Sequence, residues 1–254
     1  MLKDISFANK KIFITGSSHG IGLDIAKNFY AKGATVLING RNSIRLKKAK
    51  NLMPKSYSFH GDVTNNLTLK RISKNIKKNF GGLDILICNV GNSKSVKPGN
   101  ETSNEFKRMF DANLFSAIKV IESTEKMLSK SKGCIVCISS ICGIETIPGA
   151  PVTYSLAKSA LNNYVKYISR PMAKKNIRIN AIAPGNILFK GSVWDKKFKL
   201  NPNNVKDMLN NEVPLRKLGS TQDICSLTTY LASEDANFVT GSVWSIDGGQ
   251  TKSL

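Results

Sequence analysis

Seven short apolar runs are spread along the chain, and segments with helical periodicity lie between most of them. The runs have the character of strands, and they read KIFIT, TVLIN, YSFH, LDILICN, CIVCIS, IRINAIA and SVWSID. Alternation of strands and helices from end to end is typical of a mainly parallel sheet with helices on both faces. The sequence therefore predicts an α/β fold, a doubly wound parallel sheet of about seven strands in three layers.

The chain is long enough for one large domain, and we expect a single domain over residues 1–254. Its 254 residues are 41% hydrophobic, which is ample for a core shielded on both faces of a sheet. The N-terminus lacks the long apolar region of a secretory signal, and no run approaches the roughly 18 apolar residues of a membrane span. We therefore expect a soluble, cytoplasmic protein without a membrane partner.

One segment interrupts the alternation. From Pro184 to about Ser220 the chain contains several prolines and glycines together with the aromatic residues Phe189 and Trp194, and it favours at most short helices. A long irregular insertion in a compact domain is more often a lid or binding loop than a passive connection. We predict a substrate lid at about residues 186–216.

The chain is strongly basic, with 38 Lys and Arg against 17 Asp and Glu and a formal net charge of +21. A charge of this size suggests nucleic acid or another anionic partner. The lysines are nevertheless spread over nearly every surface segment, without the aromatic interleaving of a single-strand platform and without a nucleic-acid-binding motif. We therefore expect no specific nucleic-acid partner.

Cysteine and histidine do not form the pattern of a metal site. The five cysteines show no disulfide framework, and His19 and His60 have no companion ligands nearby in the sequence. Cys134 and Cys137 form a C-x-x-C within a predicted strand, where the odd spacing sends the two thiols to opposite faces. We expect no metal and interpret both cysteines as core residues.

A glycine-rich turn follows the first strand. The stretch TGSSHGIG, residues 15–22, lies between that strand and a helix predicted over residues 21–30. Glycines permit a tight turn and let a pyrophosphate approach the backbone, while the helix N-terminus offers unpaired amides and a favourable dipole. The candidate phosphate-binding residues are Gly16, Ser18, His19, Gly20, Ile21 and Gly22.

The pattern T-G-x-x-x-G-x-G resembles the cofactor loop of the short-chain dehydrogenase/reductase family, and further motifs follow in that family's order. They are GDV at 61–63, CNVG at 88–91, FDANLF around Asn113, ISSICG around Ser140, TYSLAK at 153–158, NAIAPG at 180–185 and DGG at 247–249. The resemblance covers nearly the whole chain and implies a Rossmann-type sheet. It also implies further dinucleotide contacts, at Asp62, Val63, Asn89, Gly91, Pro184, Gly185 and Ile187.

Tyr154 and Lys158 are four residues apart, so on a helix they share one face. The resemblance implies a catalytic tetrad of Asn113, Ser140, Tyr154 and Lys158. In it Tyr154 moves the proton, Lys158 holds the ribose hydroxyls of the cofactor, Ser140 bonds the substrate oxygen and Asn113 anchors a water. Because an adjacent ammonium favours a phenolate, we expect Lys158 to lower the pKa of Tyr154.

Two positions near these motifs are ambiguous or depart from the family pattern. Ser139 competes with Ser140 for the serine role, and Ser140 is preferred because it stands three residues before Gly143, as in the family's S-x-x-G. The threonine that often follows PG by four residues and bonds the nicotinamide is Phe189 here. That contact must therefore be replaced or absent.

The residues at the end of the second predicted strand indicate whether NAD(H) or NADP(H) is preferred. An acidic residue at this place bonds the ribose 2′-hydroxyl of NAD, whereas a basic residue accommodates the 2′-phosphate of NADP. The strand TVLIN is followed by Gly40 and Arg41, with no carboxylate in that stretch. We therefore expect NADP(H) to be favoured over NAD(H).

The leading functional hypothesis is an NADP(H)-dependent oxidoreductase that interconverts a ketone and a secondary alcohol, resembling the 3-oxoacyl-acyl-carrier-protein reductases. An acidic carrier protein could dock on basic residues, and the candidates are Lys130, Lys132, Lys174 and Lys175. The alternative is a sugar or sugar-phosphate dehydrogenase of the same family, with lysines around the cleft that attract an anion: Lys94, Lys97, Lys190, Lys196 and Lys197.

A non-catalytic dinucleotide sensor, or a nucleic-acid-associated protein, is a weaker hypothesis, because a pure binder has no need of a complete tetrad. The resemblance also implies a homotetramer. Its contacts would involve the long helices that contain Asn113 and Tyr154, and the C-terminal segment FVTGSVWSIDGGQTKSL at 238–254.

Overall fold

The structure of the protein is a computed structural model that describes residues 5–253. The predicted domain limits, 1–254, include residues 1–4 and 254, which lie outside the described residues. The strands are β1 Lys11–Ile14, β2 Thr35–Gly40, β3 Tyr57–His60, β4 Ile85–Cys88, β5 Cys134–Ile138, β6 Arg178–Pro184, β7 Ile187–Leu188, β8 Gly219–Ser220 and β9 Val243–Ile246.

Seven of these strands form one parallel sheet in the order β3-β2-β1-β4-β5-β6-β9. The predicted parallel sheet of about seven strands is confirmed. The chain builds outward from β1 to β3 and then returns to place β4 on the other side of β1. Ligands of open α/β sheets bind where the strand order reverses in this way, at the carboxyl ends of the strands.

Helices cover both faces of the sheet. The α-helices within residues 5–253 are α1 Gly20–Ala31, α2 Ser43–Asn51, α3 Asn66–Phe80, α4 Ser103–Phe110, α5 Ser116–Ser131, α6 Val152–Ala173, α7 Val193–Leu200, α8 Pro202–Glu212 and α9 Thr221–Ala232. None of the helices within residues 5–253 is long and apolar enough to cross a membrane.

Each face of the sheet has its own hydrophobic core. Residues of α3, α5 and α6 pack on one face, and residues of α1, α2 and α9 pack on the other. Cys137 belongs to the first core and Cys134 to the second, so the prediction of opposite faces for this C-x-x-C is confirmed. Strands buried on both sides explain why the sequence shows continuous apolar runs instead of an alternating pattern.

The helix α6 is 22 residues long and carries the TYSLAK motif in its first turns. Pro171 lies inside this helix, in its last turn before Ala173. A proline breaks hydrogen bonding toward the preceding turn, so any distortion is confined to the C-terminal end of α6, far from Tyr154.

The predicted lid is more regular than the sequence indicates. Within residues 186–216, β7 pairs with β8 and the helices α7 and α8 follow each other. Their apolar side chains form a small core of their own, with Trp194 packed against Val205, Leu209 and Val213. The short helices that the sequence allowed are thus α7 and α8, and they are ordered because their apolar residues pack on one another. The role of this segment as a lid stays a prediction.

Candidate active site

Two adjoining cavities open at the carboxyl ends of the strands. The inner cavity, of about 620 Å³, is lined by Ser140, Tyr154 and Lys158 and by residues of the segment 186–216. The outer cavity, of about 570 Å³, is lined by the glycine-rich turn and by Arg41 and Asp62. The two cavities share the lining residues Ile21, Asn89, Gly91, Asn92 and Phe189. They therefore form one groove that joins most of the predicted cofactor residues to the predicted catalytic ones.

Tyr154 and Lys158 lie on one face of α6, as their spacing predicts. The Nζ atom of Lys158 lies 5.9 Å from the centroid of the Tyr154 ring. The Lys158 side chain is buried, with only 3% of the residue exposed, and Nζ donates a hydrogen bond to the Ile138 carbonyl at 2.8 Å. The lysine is thus anchored to the end of β5 and directed at the floor of the groove.

Burial controls the protonation of both residues. It raises the pKa of Tyr154 to about 12, although interaction with the Ser140 hydroxyl acts in the opposite direction. It lowers the pKa of Lys158 to about 8, although the neighbouring thiols Cys137, Cys142 and Cys88 act to raise that pKa. The pKa of Tyr154 is therefore raised, and not lowered as expected from Lys158, because desolvation of the buried phenol is the largest cause of its shift.

The two serines at the end of β5 have different partners. Ser140 lines the inner cavity, and its Oγ accepts a hydrogen bond from the Cys142 amide at 3.2 Å. The Ser139 hydroxyl instead donates to the Lys158 carbonyl at 3.4 Å, which ties β5 to α6. Ser139 also lines the inner cavity, so the choice of Ser140 over Ser139 stays a prediction.

Asn113 occupies a π-helical turn, Asp111–Phe115, between α4 and α5. It is fully buried and lines neither cavity. Its Nδ2 donates to the carbonyls of Asn92 and Met109, both at 3.0 Å, and its Oδ1 accepts from the Asn92 amide at 2.9 Å. The side chain therefore holds the loop after β4 against the groove, and the sequence gives no signal for the π-helical turn that directs it there.

The glycine-rich turn is tied to the end of β4. The Thr15 hydroxyl accepts from the Asn89 amide at 3.0 Å, and the Asn89 side chain donates to the carbonyls of Thr15 and Gly16. A Cβ on Gly22 would lie 2.3 Å from the Asn89 Nδ2, so only glycine fits there. Asn89 thus shapes the turn as well as lining the groove.

The turn fits a dinucleotide phosphate. Gly20 has a φ of +59°, which an L side chain rarely adopts, and it begins α1. The residue before it, His19, makes no side-chain cap to the helix. The first amides of α1 are therefore available to an anion, and the helix dipole favours one there.

Arg41 lines the outer cavity and forms an ion pair with Asp62. Its Nη1 lies 3.1 Å from Oδ2 of Asp62, while 77% of its side chain is exposed. The other oxygen, Oδ1, accepts hydrogen bonds from the Thr64 amide and hydroxyl. Burial opposes ionisation of Asp62, but the bonds from Thr64 and Arg41 outweigh it and lower the pKa of Asp62. The stretch after β2 has no carboxylate of its own, yet the fold brings one from the end of β3.

This groove has the features of a dinucleotide-dependent oxidoreductase. The family model described as enoyl-(acyl carrier protein) reductase matches residues 16–251. The chain belongs to the short-chain dehydrogenase/reductase family. It is therefore related to oxidoreductases that bind a nicotinamide dinucleotide.

Relatives in the family differ in what they reduce. The 3-oxoacyl-[acyl-carrier-protein] reductase FabG of Rickettsia prowazekii is 32% identical over 246 residues, covering 96% of this chain and 98% of that protein. L-sorbose reductase from Gluconobacter frateurii, in complex with NADPH and L-sorbose, gives a TM-score of 0.91 at 26% identity, with 99% and 100% of the two chains covered. A 7 alpha-hydroxysteroid dehydrogenase in complex with NADH and 7-oxo glycochenodeoxycholic acid gives 0.89 at 26% identity, with 99% and 98% covered.

Phe189 departs from the family pattern and lies where the two cavities meet. A Cβ built on Gly20 would be 2.7 Å from its Cε2 atom, so the ring packs directly against the glycine-rich turn. The sequence indicates only that a threonine contact is missing. The structure shows that an apolar ring now narrows the middle of the groove.

Of the closing motifs, Pro184, Gly185 and Ile187 all line the inner cavity. Gly185 passes so close to β9 that a Cβ there would lie 2.8 Å from the Asp247 Cβ. Sequence reasoning did not name several other residues that line this cavity: Asn92, Cys142, Asn186, Met208, Glu212 and Gln250. Two of them could have been found from the sequence, because Asn186 directly follows the PG of one motif and Gln250 directly follows the DGG of another. In the structure the Asn186 Nδ2 donates a hydrogen bond to the Gln250 Oε1 at 2.8 Å.

The lysines proposed to attract an anion are not equivalent in the structure. Lys197 lines the inner cavity. The other four cleft candidates, Lys94, Lys97, Lys190 and Lys196, line neither cavity. Among the lysines proposed for carrier docking, Lys175 pairs with Glu125 at 2.7 Å.

Proposed function

We propose that this short-chain dehydrogenase/reductase is an NADP(H)-dependent enzyme that interconverts a ketone and a secondary alcohol, most like a 3-oxoacyl-acyl-carrier-protein reductase. The observation that carries the proposal is the groove itself, in which Tyr154 and Ser140 line the inner cavity above the buried Lys158. The 32% identity to the reductase of Rickettsia prowazekii over nearly the whole of both chains supports the substrate class.

Tyr154 and Ser140 act on the substrate oxygen. The Ser140 hydroxyl donates a hydrogen bond that orients the carbonyl, and Tyr154 delivers the proton as the carbonyl carbon is reduced. A phenol with a pKa of about 12 keeps its proton at neutral pH, which suits it to donate to a developing alkoxide. The nicotinamide cofactor supplies or accepts the hydride when it is bound.

Lys158 and Asn113 assist this proton transfer without contacting the substrate oxygen. A protonated Lys158, near the Tyr154 ring, stabilises the phenolate that remains after the proton has left. The same ammonium, which lines the inner cavity, would hold the ribose hydroxyls of the cofactor. Asn113 acts as a positioning residue, because its side chain is committed to the backbone of Asn92 and Met109.

The outer cavity would hold the adenosine half of the dinucleotide. The amides of the glycine-rich turn would bind the pyrophosphate, with Asp62 and Val63 beside the adenine. The exposed Arg41 guanidinium would pair with the 2′-phosphate of NADP(H). The L-sorbose reductase neighbour contains NADPH, which supports this preference, whereas the hydroxysteroid dehydrogenase neighbour contains NADH.

The test is a cofactor and substrate screen of the purified protein. Absorbance at the reduced nicotinamide band reports oxidation of NADPH or NADH with 3-oxoacyl thioesters, simple ketones and ketoses. We expect turnover with 3-oxoacyl thioesters and NADPH, and none with the Tyr154→Phe variant. Absence of turnover with every carbonyl compound would leave the sensor hypothesis in its place.

A sugar or sugar-phosphate substrate is the second candidate. It is supported by the TM-score of 0.91 to a reductase in complex with L-sorbose, and by Trp194 in the wall of the inner cavity, since an aromatic ring stacks well on a sugar. In the same screen, a kcat/KM for ketoses above that for 3-oxoacyl thioesters would select this function.

We also propose that the chain forms a homotetramer. Large apolar side chains are exposed along the helices that carry the catalytic residues, namely Phe115, Leu156 and Tyr167, and Phe238 is fully exposed before the C-terminal strand. Exposed apolar surface of this kind is typical of an interface. Light scattering at micromolar concentration should give a tetramer, and a monomer alone would contradict the proposal.

A further inference from the structure

One face of α7 presents a cation to the inner cavity. Trp194 and Lys197 are three residues apart on this helix, and both line the cavity. The Lys197 Nζ lies 4.5 Å from the centroid of the Trp194 ring, a cation–π contact. Trp194 is itself packed on the small core of the lid, so the ring that supports the ammonium is held in place.

No carboxylate of the described residues neutralises the charge of Lys197. Among residues 5–253 it forms no ion pair, whereas its neighbour Lys199 pairs with Asp195 at 3.0 Å. The other ammonium that lines the cavity, Lys158, lies near the Tyr154 ring and donates to the Ile138 carbonyl, so it belongs to the catalytic end. Glu212 also lines the cavity, and it forms no ion pair with Lys197.

The remaining wall between the lid and the catalytic residues is largely apolar. It includes side chains of Ile147, Pro148, Val193 and Met208. The cavity thus has the hydroxyls of Ser140 and Tyr154 in one part of its wall, the Lys197 ammonium in another, and apolar side chains elsewhere. Such a cavity suits an elongated substrate. One end would carry the carbonyl, and the other an anion.

We propose that Lys197 is a specificity-determining residue that binds an anionic group, a carboxylate or a phosphate, at the end of the substrate remote from the carbonyl. This inference rests on the proposed reduction of a carbonyl at Tyr154 and names the class of substrate. The anion could be the carboxylate of a small keto acid or the phosphate of a pantetheine arm, since both present negatively charged oxygen acceptors to an ammonium.

The kinetic test uses matched pairs of substrates. One set is straight-chain methyl ketones that end in a carboxylate, with their methyl esters, and the other is 3-oxoacyl thioesters of pantetheine with and without the terminal phosphate. The wild-type protein should prefer the anionic member of at least one set. Lys197→Met should lower kcat/KM for that member by about tenfold at low ionic strength and leave the neutral member unchanged.

Two further variants serve as controls. Lys197→Arg keeps the charge and should retain most of the preference. Lys196→Met removes the adjacent exposed lysine, which does not line the cavity, and should leave the preference intact. Equal losses in the Lys197→Met and Lys196→Met variants would overturn the proposal, because they would indicate a diffuse attraction by the basic lid. A preference for the neutral members would do so as well.

A binding measurement separates this proposal from the proposed function. The chain has two tryptophans, so Trp244→Phe leaves Trp194 as the one emitter. Titration of that variant with the anionic compounds, with NADP⁺ present, should quench its fluorescence, and the added Lys197→Met change should abolish the effect. Lys197-dependent quenching without any turnover would refute the reductase and retain the anion site. Turnover without any preference for anions would refute only the anion site.

Discussion

The two ends of the groove are built in opposite ways. At the inner end Lys158 is 3% exposed and Ser140 is 7% exposed, and both are bonded to backbone atoms of β5 or the turn after it. At the outer end the Arg41 side chain is 77% exposed, and its partner is the carboxylate of Asp62. Burial at the inner end raises the pKa of Tyr154 and lowers that of Lys158, whereas the exposed Arg41–Asp62 pair at the outer end lies close to water.

This contrast assigns different tasks to the two ends. Buried groups that cannot move or rehydrate are suited to chemistry, and their removal is costly. An exposed ion pair is worth little to stability, so Arg41 can exchange Asp62 for a ligand phosphate at small cost. We therefore expect substitutions at the inner end to change rate or stability strongly, and those at the outer end to change mainly the choice of cofactor.

The largest effect is expected for Tyr154→Phe. The change removes the proton donor and keeps the ring, so turnover should fall by at least about a hundredfold while NADPH affinity stays nearly unchanged. Steady-state kinetics and a titration of NADPH fluorescence give the two quantities. A variant with near-normal kcat would show that the inner end is not the catalytic end.

Lys158→Met should change how stability depends on pH. In the folded protein the pKa of Lys158 falls from its usual 10.5 to about 8, so the folded state binds fewer protons than the unfolded chain between these values. The cost of burying the ammonium is therefore fully present below pH 8 and disappears as the pH rises toward 10.5. It amounts to about 3 kcal/mol.

Urea unfolding of both proteins across this range checks the sign. The unfolding free energy of the wild type should rise with pH relative to that of Lys158→Met, and subtraction removes the contribution of the general positive charge, which both proteins share. Parallel curves would mean that Lys158 is better solvated than its burial indicates.

Arg41→Asp should have a smaller and more selective effect. It places a carboxylate beside Asp62 where the 2′-phosphate would bind, and it offers an acceptor for the NAD ribose hydroxyl. Efficiency with NADPH should fall by about tenfold to a hundredfold, with NADH use unchanged or improved. Arg41→Gln is the matched control for loss of charge alone. Equal losses with both cofactors would mean that Arg41 supports the loop and not the phosphate.

The smallest effect is expected for Phe189→Thr, at the junction of the two cavities. The change removes a ring that packs on Gly20 and introduces a hydroxyl, so the groove should open. We expect NADP(H) to bind more tightly by about threefold to tenfold, or about 1 kcal/mol. Isothermal titration calorimetry measures the dissociation constant of NADP(H) for both proteins. Weaker binding would show that the ring is a favourable contact for the cofactor.

Local patterns in the chain were enough to predict the sheet. Each run from KIFIT to SVWSID corresponds to one strand of the seven-stranded sheet. The central runs are continuously apolar because those strands are buried on both faces, whereas the edge strands β3 and β9 are only partly buried. The spacing of Tyr154 and Lys158 likewise follows from helical geometry alone. These features depend on neighbours in sequence, so they could be read without the fold.

Other features depend on residues that are distant in sequence. The pairing of Arg41 with Asp62 joins the ends of two strands, and the burial that raises the pKa of Tyr154 and lowers that of Lys158 comes from the packing of α6 on the sheet. Of five candidate lysines near the cleft, only the position of α7 could single out Lys197. Desolvation and charge pairing are set by three-dimensional distance, and a linear pattern carries no measure of that distance.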